Sequence, residues 1–241
     1  MTTPRVSIVM PAYNEAELLA RSVTTVAEGM RGRGDPFEIV VVENGSSDGT
    51  AALADELERT IPEVRVRHLG EADYGRALRD GLLAAQGEVI VNFDVDFFDL
   101  GFLDAAVGRV GVADGPAILV GSKRAPGAQD TRTPLRRIAT WTFATLLRVA
   151  FGLSVSDTHG VKALRADAVR EEARRCVSGT DLFDTELVLR IERAGLGVAE
   201  LPVTVRELRP ARSSFLSRVP RTLLGLCRLR LVLWREARRS H

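Results

Sequence analysis

The sequence lacks the features of a disulfide-stabilised, membrane-spanning or general nucleic-acid-binding protein. Its two cysteines, Cys176 and Cys227, match neither a metal-ligand spacing nor a disulfide framework, which favours a reducing compartment. No run of 18 apolar residues is present, so no transmembrane helix is predicted, and the first residues do not resemble a secretory signal. A formal net charge of +1 argues against general nucleic-acid binding.

The glycine-rich loops that commonly bind phosphate are also missing. A dinucleotide-binding fold would carry G-x-G-x-x-G after its first strand, and a P-loop would read G-x-x-x-x-G-K-[ST]. The segment after the first predicted strand reads PAYNEAE instead. The charge of a phosphate ligand must therefore be met in another way, by a divalent cation or by basic side chains.

The chain does contain the pattern of an α/β protein. It has 241 residues, of which 45% are hydrophobic, enough for a sizeable core. Short β-branched runs alternate with helical patterns in the first half, which predicts a three-layer α/β sandwich with a mostly parallel sheet. The predicted strands cover 6–11, 38–43, 64–69, 88–94, 117–122 and 198–205, and the predicted helices about 15–30, 50–59, 74–86, 134–151, 167–175, 182–194 and 219–238.

Carboxylates follow the fourth predicted strand, in the segment Asp94-Val95-Asp96. Burying an unpaired charge costs several kcal/mol, so we expect these side chains at the strand end, facing a cation. Ligands of open parallel sheets bind beyond the carboxyl ends of the strands. Because side chains alternate along a strand, either the chain turns here or one carboxylate binds a metal and the other a sugar hydroxyl. The plainer alternative is that both are helix caps.

Five motifs in this order resemble the family 2 glycosyltransferases of the glycosyltransferase A fold, over roughly residues 5–210. They are PAYNE, VVENGSSDGT, the D-x-D at 94–96, SDTHGVKAL (156–164) and AELPVTV (199–205). The last two resemble the branch of dolichyl-phosphate mannose synthase and the bacterial polyprenyl-phosphate sugar transferases. The resemblance implies an inverting transfer of a sugar from a GDP- or UDP-linked donor to a polyprenyl phosphate at the cytoplasmic face of the membrane.

The resemblance also assigns roles to residues. It implies Mg²⁺ or Mn²⁺ at Asp94 and Asp96, and catalytic roles for Asp96 and Asp157, the latter as a base or as an organiser of the acceptor. The donor nucleotide would be bound by Pro11, Tyr13, Glu15, Glu43, Asp94 and Val95. The acceptor phosphate would be bound by basic side chains, which we expect to be Lys123, Arg124, Arg136, Arg137 and Lys162. The family usually has two Asp where this chain has Glu43 and Asn44.

The C-terminal segment is strongly basic and amphipathic, so we divide the chain into a catalytic domain (1–212) and a C-terminal helix (213–241). A helical wheel puts the apolar residues on one half and arginines on the other, with Arg230 intruding. The apolar half comprises Val219, Leu223, Leu226, Cys227, Leu231, Leu233 and Trp234, and the basic half Arg218, Arg221, Arg228, Arg235 and Arg239. This pattern favours a helix lying in the interface of an anionic membrane, on the inner face of the cell membrane. The alternative is a last helix packed on the sheet.

Two other functions are compatible with the sequence. A soluble family 2 transferase acting on a hydroxyl of a sugar or small metabolite would need a general base, and its C-terminal helix would belong to the core. A non-catalytic nucleotide-sugar-binding protein would need no reactive acceptor site, and any measurable transfer would exclude it.

Overall fold

The computed structural model describes residues 3–112, 114–122, 125, 129–130, 134–179, 182–205 and 215–239. At 129–130, 134–140, 204–205, 215–219 and 239 it describes the course of the backbone. In these ranges the strands are β1 (Val6–Ala12), β2 (Phe37–Asn44), β3 (Val64–Leu69), β4 (Val89–Asn92), β5 (Ile118–Ser122), β6 (Gln129–Asp130), β7 (Lys162–Arg165), β8 (Val198–Pro202) and β9 (Thr204–Val205). The helices are α1 (Leu19–Arg33), α2 (Thr50–Thr60), α3 (Tyr74–Ala84), α4 (Leu100–Val110), α5 (Pro134–Phe151), α6 (Ala166–Arg175), α7 (Phe183–Arg193) and α8 (Phe215–Arg239).

Seven strands form one mostly parallel sheet, in the order β3-β2-β1-β4-β7-β5-β8. The predicted sheet is therefore confirmed. The strand β7 was not predicted, and it runs antiparallel to both of its neighbours, β4 and β5. Its position matters for function, because the segment that leads into β7 lies at the same edge of the sheet as the segment that leaves β4. The strands β6 and β9 form a separate parallel pair.

Helices cover both faces of the sheet, which confirms the predicted three layers. Neighbouring residues of β1 show the alternation: Ile8 and Met10 pack with α1, α2 and α4, while Val9 packs with the helices of the other face. That second core takes in α3, α6 and α7 and also residues of α5 and α8. The continuous apolar strands of the sequence are thus explained by burial on both sides.

One face of α8 belongs to this second core. Leu226, Leu229 and Leu233 recur at intervals of three and four residues, and all three side chains are buried. Next to them, the buried guanidinium of Arg190 on α7 donates to Glu236 Oε2 at 2.8 Å. The helix is therefore held to the second core by apolar packing and to α7 by an ion pair.

The predicted apolar half of α8 is divided between buried and exposed side chains. Leu226 and Leu233 face the core, whereas Leu223, Leu231 and Trp234 are exposed. The helical wheel merged two apolar faces, because it shows the positions of side chains but not which neighbours cover them. The exposed arginines Arg221, Arg228 and Arg235, spaced seven residues apart, form a strip between the two faces. Among the described residues, no helix has the length and apolarity required to span a bilayer.

Candidate functional site

The D-x-D segment forms a tight turn at the end of β4. The amide of Asp94 donates to Phe97 O at 3.1 Å, and the amide of Phe97 donates back to Asp94 O at 3.1 Å. Val95 and Asp96 are the corner residues of this turn, so the alternation of an extended strand no longer separates the two carboxylates. The turn is also bound to α1, because Ser22 Oγ donates to Val95 O at 2.7 Å. The expectation that the chain turns here is confirmed.

The turn leaves both carboxylates partly exposed, while the side chain of Val95 packs into the core. Val95 could therefore contact a donor nucleotide only through its backbone. The hydroxyl of Tyr74, at the start of α3, donates to Asp94 Oδ1 at 3.2 Å. Asp99, three residues after Asp96, caps α4 by accepting from the amide of Phe102 at 2.9 Å. The capping alternative thus applies to Asp99 and not to Asp94 or Asp96.

Two carboxylates at one turn suit a metal ion whose coordination shell is completed by groups of the substrate. Within the described ranges, no group of three or more His, Cys, Asp or Glu side chains is arranged to hold a metal ion. Mg²⁺ and similar ions are commonly bound through one or two carboxylates, with substrate phosphates and water as further ligands. Asp94 and Asp96 are the right donors for that arrangement.

The loops after β1 and β2 are joined by side-chain hydrogen bonds. Asn14 has a φ of 54°, a left-handed conformation that asparagine tolerates. Its amide donates to Ser46 Oγ at 3.0 Å, and its Oδ1 accepts from the amide of Ser47 at 2.8 Å. The amide of Glu15 donates to Thr50 Oγ1 at 2.8 Å. These bonds hold the PAYNE segment against the segment that follows β2.

The predicted donor-binding residues of this region differ in exposure. Pro11 is buried within β1, Tyr13 is exposed and Glu15 is partly buried. Glu43 is buried, and its Oε1 accepts from the amide of Ser46 at 2.6 Å. Of the predicted donor-binding side chains in these two loops, Tyr13 is therefore the one most open to a ligand.

His68 was given no role by the sequence, yet it contacts Glu43. Its Nδ1 lies 3.3 Å from Glu43 Oε2, and its Nε2 lies 2.8 Å from Asp55 Oδ1 on α2. Burial works to lower the pKa of His68, but its bonds to Asp55 and Glu43 raise it above the ordinary value. Burial likewise works to raise the pKa of Glu43, and bonds from Ser46 and His68 lower it instead. The pairing of β2 with β3 places His68 beside Glu43; a lone histidine outside any motif carries no such signal.

Asp157 lies in the segment before β7. Its side chain is 6% exposed, and Oδ1 accepts from the amide of His159 at 3.0 Å. Its Oδ2 is buried and accepts no hydrogen bond from any residue that the structure describes. The ring of His159 packs beside Phe143 of α5, with the ring centroids 5.9 Å apart. The carboxylate of Asp157, rather than the imidazole, thus offers an uncommitted acceptor atom.

The D-x-D turn and Asp157 lie at the same edge of the sheet. Asn92, the last residue of β4, pairs with Lys162, the first residue of β7. The chain leaves β4 towards Asp94 at the edge from which it enters β7. The end of β5 also reaches this edge, because Ser122 Oγ lies 2.9 Å from Ser156 Oγ. The strand pairing therefore brings the D-x-D turn and Asp157 to one edge of the sheet.

The predicted acceptor-binding residues are placed less clearly. Lys162 is 1% exposed, and its Nζ lies 2.7 Å from Asp184 Oδ1 and donates to Gly160 O at 2.8 Å. Its position does not support direct binding of an acceptor phosphate. Lys123 and Arg124 lie outside the described residues, and of Arg136 and Arg137 the structure describes the helical backbone at the start of α5.

Solved structures identify the fold. The structure resembles the mannosyltransferase PcManGT from Pyrobaculum calidifontis, solved in complex with GDP-Man and Mn²⁺, with a TM-score of 0.64 and 23% identity over 94% of this chain and 64% of that one. This is the glycosyltransferase A fold of nucleotide-sugar transferases.

Sequence comparisons give the family. The family model described as glycosyl transferase family 2 matches residues 7–171. The chain is 34% identical to glycosyltransferase AglD of Haloferax volcanii over 82% of its own length, but it spans only 32% of that relative. It is 28% identical to the undecaprenyl-phosphate mannosyltransferase of Micrococcus luteus, over 87% of this chain and 88% of that protein. The chain belongs to glycosyl transferase family 2, as its motifs predicted.

Proposed function

We propose that this glycosyltransferase moves a sugar from a nucleotide-sugar to a polyprenyl phosphate, with inversion at the anomeric carbon. The observation that carries the proposal is the buried, uncommitted Oδ2 of Asp157 at the edge of the sheet that also bears Asp94 and Asp96. Several relatives are named for transfer to polyprenol or dolichyl phosphates, including enzymes of Micrococcus luteus and Mycolicibacterium smegmatis. These names support the same class of acceptor for this chain.

The donor is proposed to bind across the loops after β1, β2 and β4. Asp94 and Asp96 are the residues that would hold Mg²⁺ or Mn²⁺ together with the donor diphosphate. When bound, the ion neutralises the charge that develops on the leaving nucleoside diphosphate. The exposed ring of Tyr13 and the carboxylate of Glu15 lie on the loop after β1, which is proposed to face the nucleotide. The donor is GDP- or UDP-linked, in keeping with the GDP-Man bound by PcManGT.

The acceptor needs little help from a base. A phosphate monoester has a second pKa of about 6, so its attacking oxygen is largely anionic near neutral pH. Asp157 then orients the acceptor and its cationic partners, or takes a residual proton. The basic side chains proposed to bind the acceptor phosphate are Lys123, Arg124, Arg136 and Arg137, because charge-assisted hydrogen bonds would offset the negative phosphate.

The acceptor's hydrocarbon chain lies in a membrane, and the outer faces of α5 and α8 are proposed to rest on it. On α8 the exposed apolar side chains are Leu223, Leu224, Leu231 and Trp234, and on α5 they are Trp141, Leu146 and Val149. The two helices are in contact, because Arg230 donates to Ala150 O and its guanidinium lies 5.9 Å from the centre of the Phe151 ring. Exposed apolar surface of this extent in a soluble domain indicates an interaction site.

Charge around this apolar surface indicates the kind of membrane. The strip formed by Arg221, Arg228 and Arg235 borders the exposed face of α8 along its length. Long arginine side chains can keep their charge at headgroup depth while the apolar face enters the interface. We therefore propose peripheral binding to an anionic leaflet, the cytoplasmic face of the cell membrane.

A panel of reactions tests the proposal. Purified protein is incubated with GDP- and UDP-linked sugars, with Mg²⁺ or Mn²⁺, and with polyprenyl phosphate in mixed micelles, and the products are identified by mass spectrometry. We expect a glycosyl-phosphoryl-polyprenol from one of the donors. Transfer to free sugars or small hydroxyl compounds in parallel reactions would favour the soluble transferase, and donor binding without any transfer would favour a binding protein.

A further inference from the structure

Glu200 on β8 holds the start of the segment that carries Asp157. Its Oε1 accepts from the amide of Ser156 at 2.9 Å, from Ser156 Oγ at 2.8 Å and from the amide of Asp157 at 3.2 Å. One carboxylate oxygen thus collects two consecutive backbone donors and one hydroxyl. The strand position of Glu200 is fixed by its pairing with Val120 on β5. The anchor therefore belongs to the rigid sheet and not to the segment that it holds.

The other end of the same turn is held by Asp157 itself. Its Oδ1 accepts from the amide of His159, two residues further on, which closes a local turn. With the backbone fixed by Glu200 and Oδ1 used in this turn, only Oδ2 is left to face the reaction. The direction in which Oδ2 points is therefore set by two constraints, of which Glu200 supplies the one that comes from outside the segment.

We propose that Glu200 is a positioning residue, which acts through Asp157 by fixing the orientation of its uncommitted carboxylate oxygen. This inference rests on the proposed function, because Asp157 is taken to face the acceptor. Glu200 has no part in the chemistry itself. Its hydrogen bonds are charge-assisted, and bonds of that kind are roughly twice as strong as bonds between neutral groups.

Two substitutions at Glu200 separate the loss of its charge from the loss of its hydrogen-bond acceptor. Glu200→Gln keeps an acceptor oxygen at the same reach, whereas Glu200→Leu keeps the volume and removes every acceptor. Glu192→Leu is a matched control, since Glu192 on α7 also accepts from a backbone amide of this segment, that of Ser154, at 3.0 Å from Oε1. The control loosens the chain three residues before Asp157 and leaves the bonds of Glu200 in place.

The first measurement is amide hydrogen exchange at Ser156 and Asp157 in the full chain, which needs no substrate. We expect at least about tenfold faster exchange at both amides in Glu200→Leu, and protection close to that of the parent protein in Glu200→Gln and in Glu192→Leu. Unchanged protection in Glu200→Leu would overturn the inference, whether or not the enzyme acts on polyprenyl phosphate. An equal loss of protection in Glu192→Leu would also overturn it, because general loosening would then explain the effect.

The second measurement is steady-state kinetics with the donor and acceptor that the panel identifies. Misplacing a catalytic group by about 1 Å can cost about 100-fold, so we expect Glu200→Leu to lose about 30- to 100-fold in kcat. The KM for the donor should change less than about threefold, and Glu200→Gln should recover most of the lost kcat. A rise in donor KM with unchanged kcat, or failure of Glu200→Gln to recover activity, would contradict a positioning role. If the parent protein transfers no sugar to polyprenyl phosphate, the proposed function fails, while the exchange measurement still decides whether Glu200 holds the segment.

Discussion

Replacing Leu231 by Glu and, separately, Leu229 by Ala distinguishes the two apolar faces of α8. The two residues are two positions apart on the helix and point in nearly opposite directions: Leu231 is 54% exposed and Leu229 is 1% exposed. If the outer face rests on a membrane, Leu231→Glu should abolish membrane binding and leave the fold intact. Leu229→Ala should do the reverse, because it removes part of the core.

The magnitudes follow from these exposures. Removing a buried leucine side chain costs about 2–5 kcal/mol of unfolding free energy. For a chain of this size, 1 kcal/mol corresponds to about 2–4 °C, so Leu229→Ala should lower Tm by about 5–15 °C. A surface substitution such as Leu231→Glu should stay within about 0.5 kcal/mol. Burying the exposed half of Leu231 in lipid would contribute about 1 kcal/mol. Adding a charge to that face should bring the total loss in partitioning to about 30-fold or more, since a factor of ten is about 1.4 kcal/mol.

Liposome flotation and thermal unfolding measure the two quantities on the same protein preparations. The parent protein should float with vesicles that contain anionic lipid and should bind less as salt rises, because exposed charges are screened over about 8–10 Å at physiological ionic strength. Equal loss of Tm in both variants would show that the outer face is packed against protein. Unchanged flotation of Leu231→Glu would refute the assignment of this face to the membrane.

Three further predictions concern the site. Asp94→Asn and Asp96→Asn should each sharply reduce transfer, as should chelation of divalent metal from the parent protein, and full activity in excess chelator would contradict the metal assignment. Replacing Arg136 and Arg137 together by Gln should raise the acceptor KM more than the donor KM, because their charge is proposed to meet the acceptor phosphate; a fall in donor affinity alone would assign them to the wrong phosphate. The raised pKa of His68 means that the folded state binds its proton more tightly than the unfolded state, so its contribution to stability is present below about pH 6.5 and is lost as pH rises through the folded pKa. His68→Gln should therefore lower the unfolding free energy at pH 5.5 more than at pH 8.5, and an equal effect at both values would refute the linkage.

The strands with continuous apolar runs were predictable because burial on both faces leaves a signal in each strand alone. The strand β3 occupies the predicted residues 64–69; β1 extends one residue beyond its predicted end, and β2 extends one residue beyond the prediction at each end. The strand β7 left no such signal. It has four residues, and it begins with a lysine whose charge is buried against Asp184. A buried ion pair between segments far apart in the chain cannot be recognised from either segment.

The site was predictable where a motif lies at the end of a strand. The turn at Asp94 and Asp96 follows a predicted strand, whereas the placement of Asp157 at the same edge depends on β7, which was not predicted. His68 and Glu200 act through contacts between neighbouring strands or between a strand and a loop, so their roles depend on register. The two faces of α8 likewise depend on the second core, which covers one of them. What the sequence lacked in each case was the identity of the neighbour.

The most direct test of the central claim compares polyprenyl phosphate with polyprenol of the same chain length, in the same micelles and with the same donor and metal. We predict that sugar is transferred to the phosphate alone, and that the anomeric configuration of the product, read by NMR, is opposite to that of the donor. Transfer to polyprenol at a comparable rate, or a product that retains the donor configuration, would contradict the account.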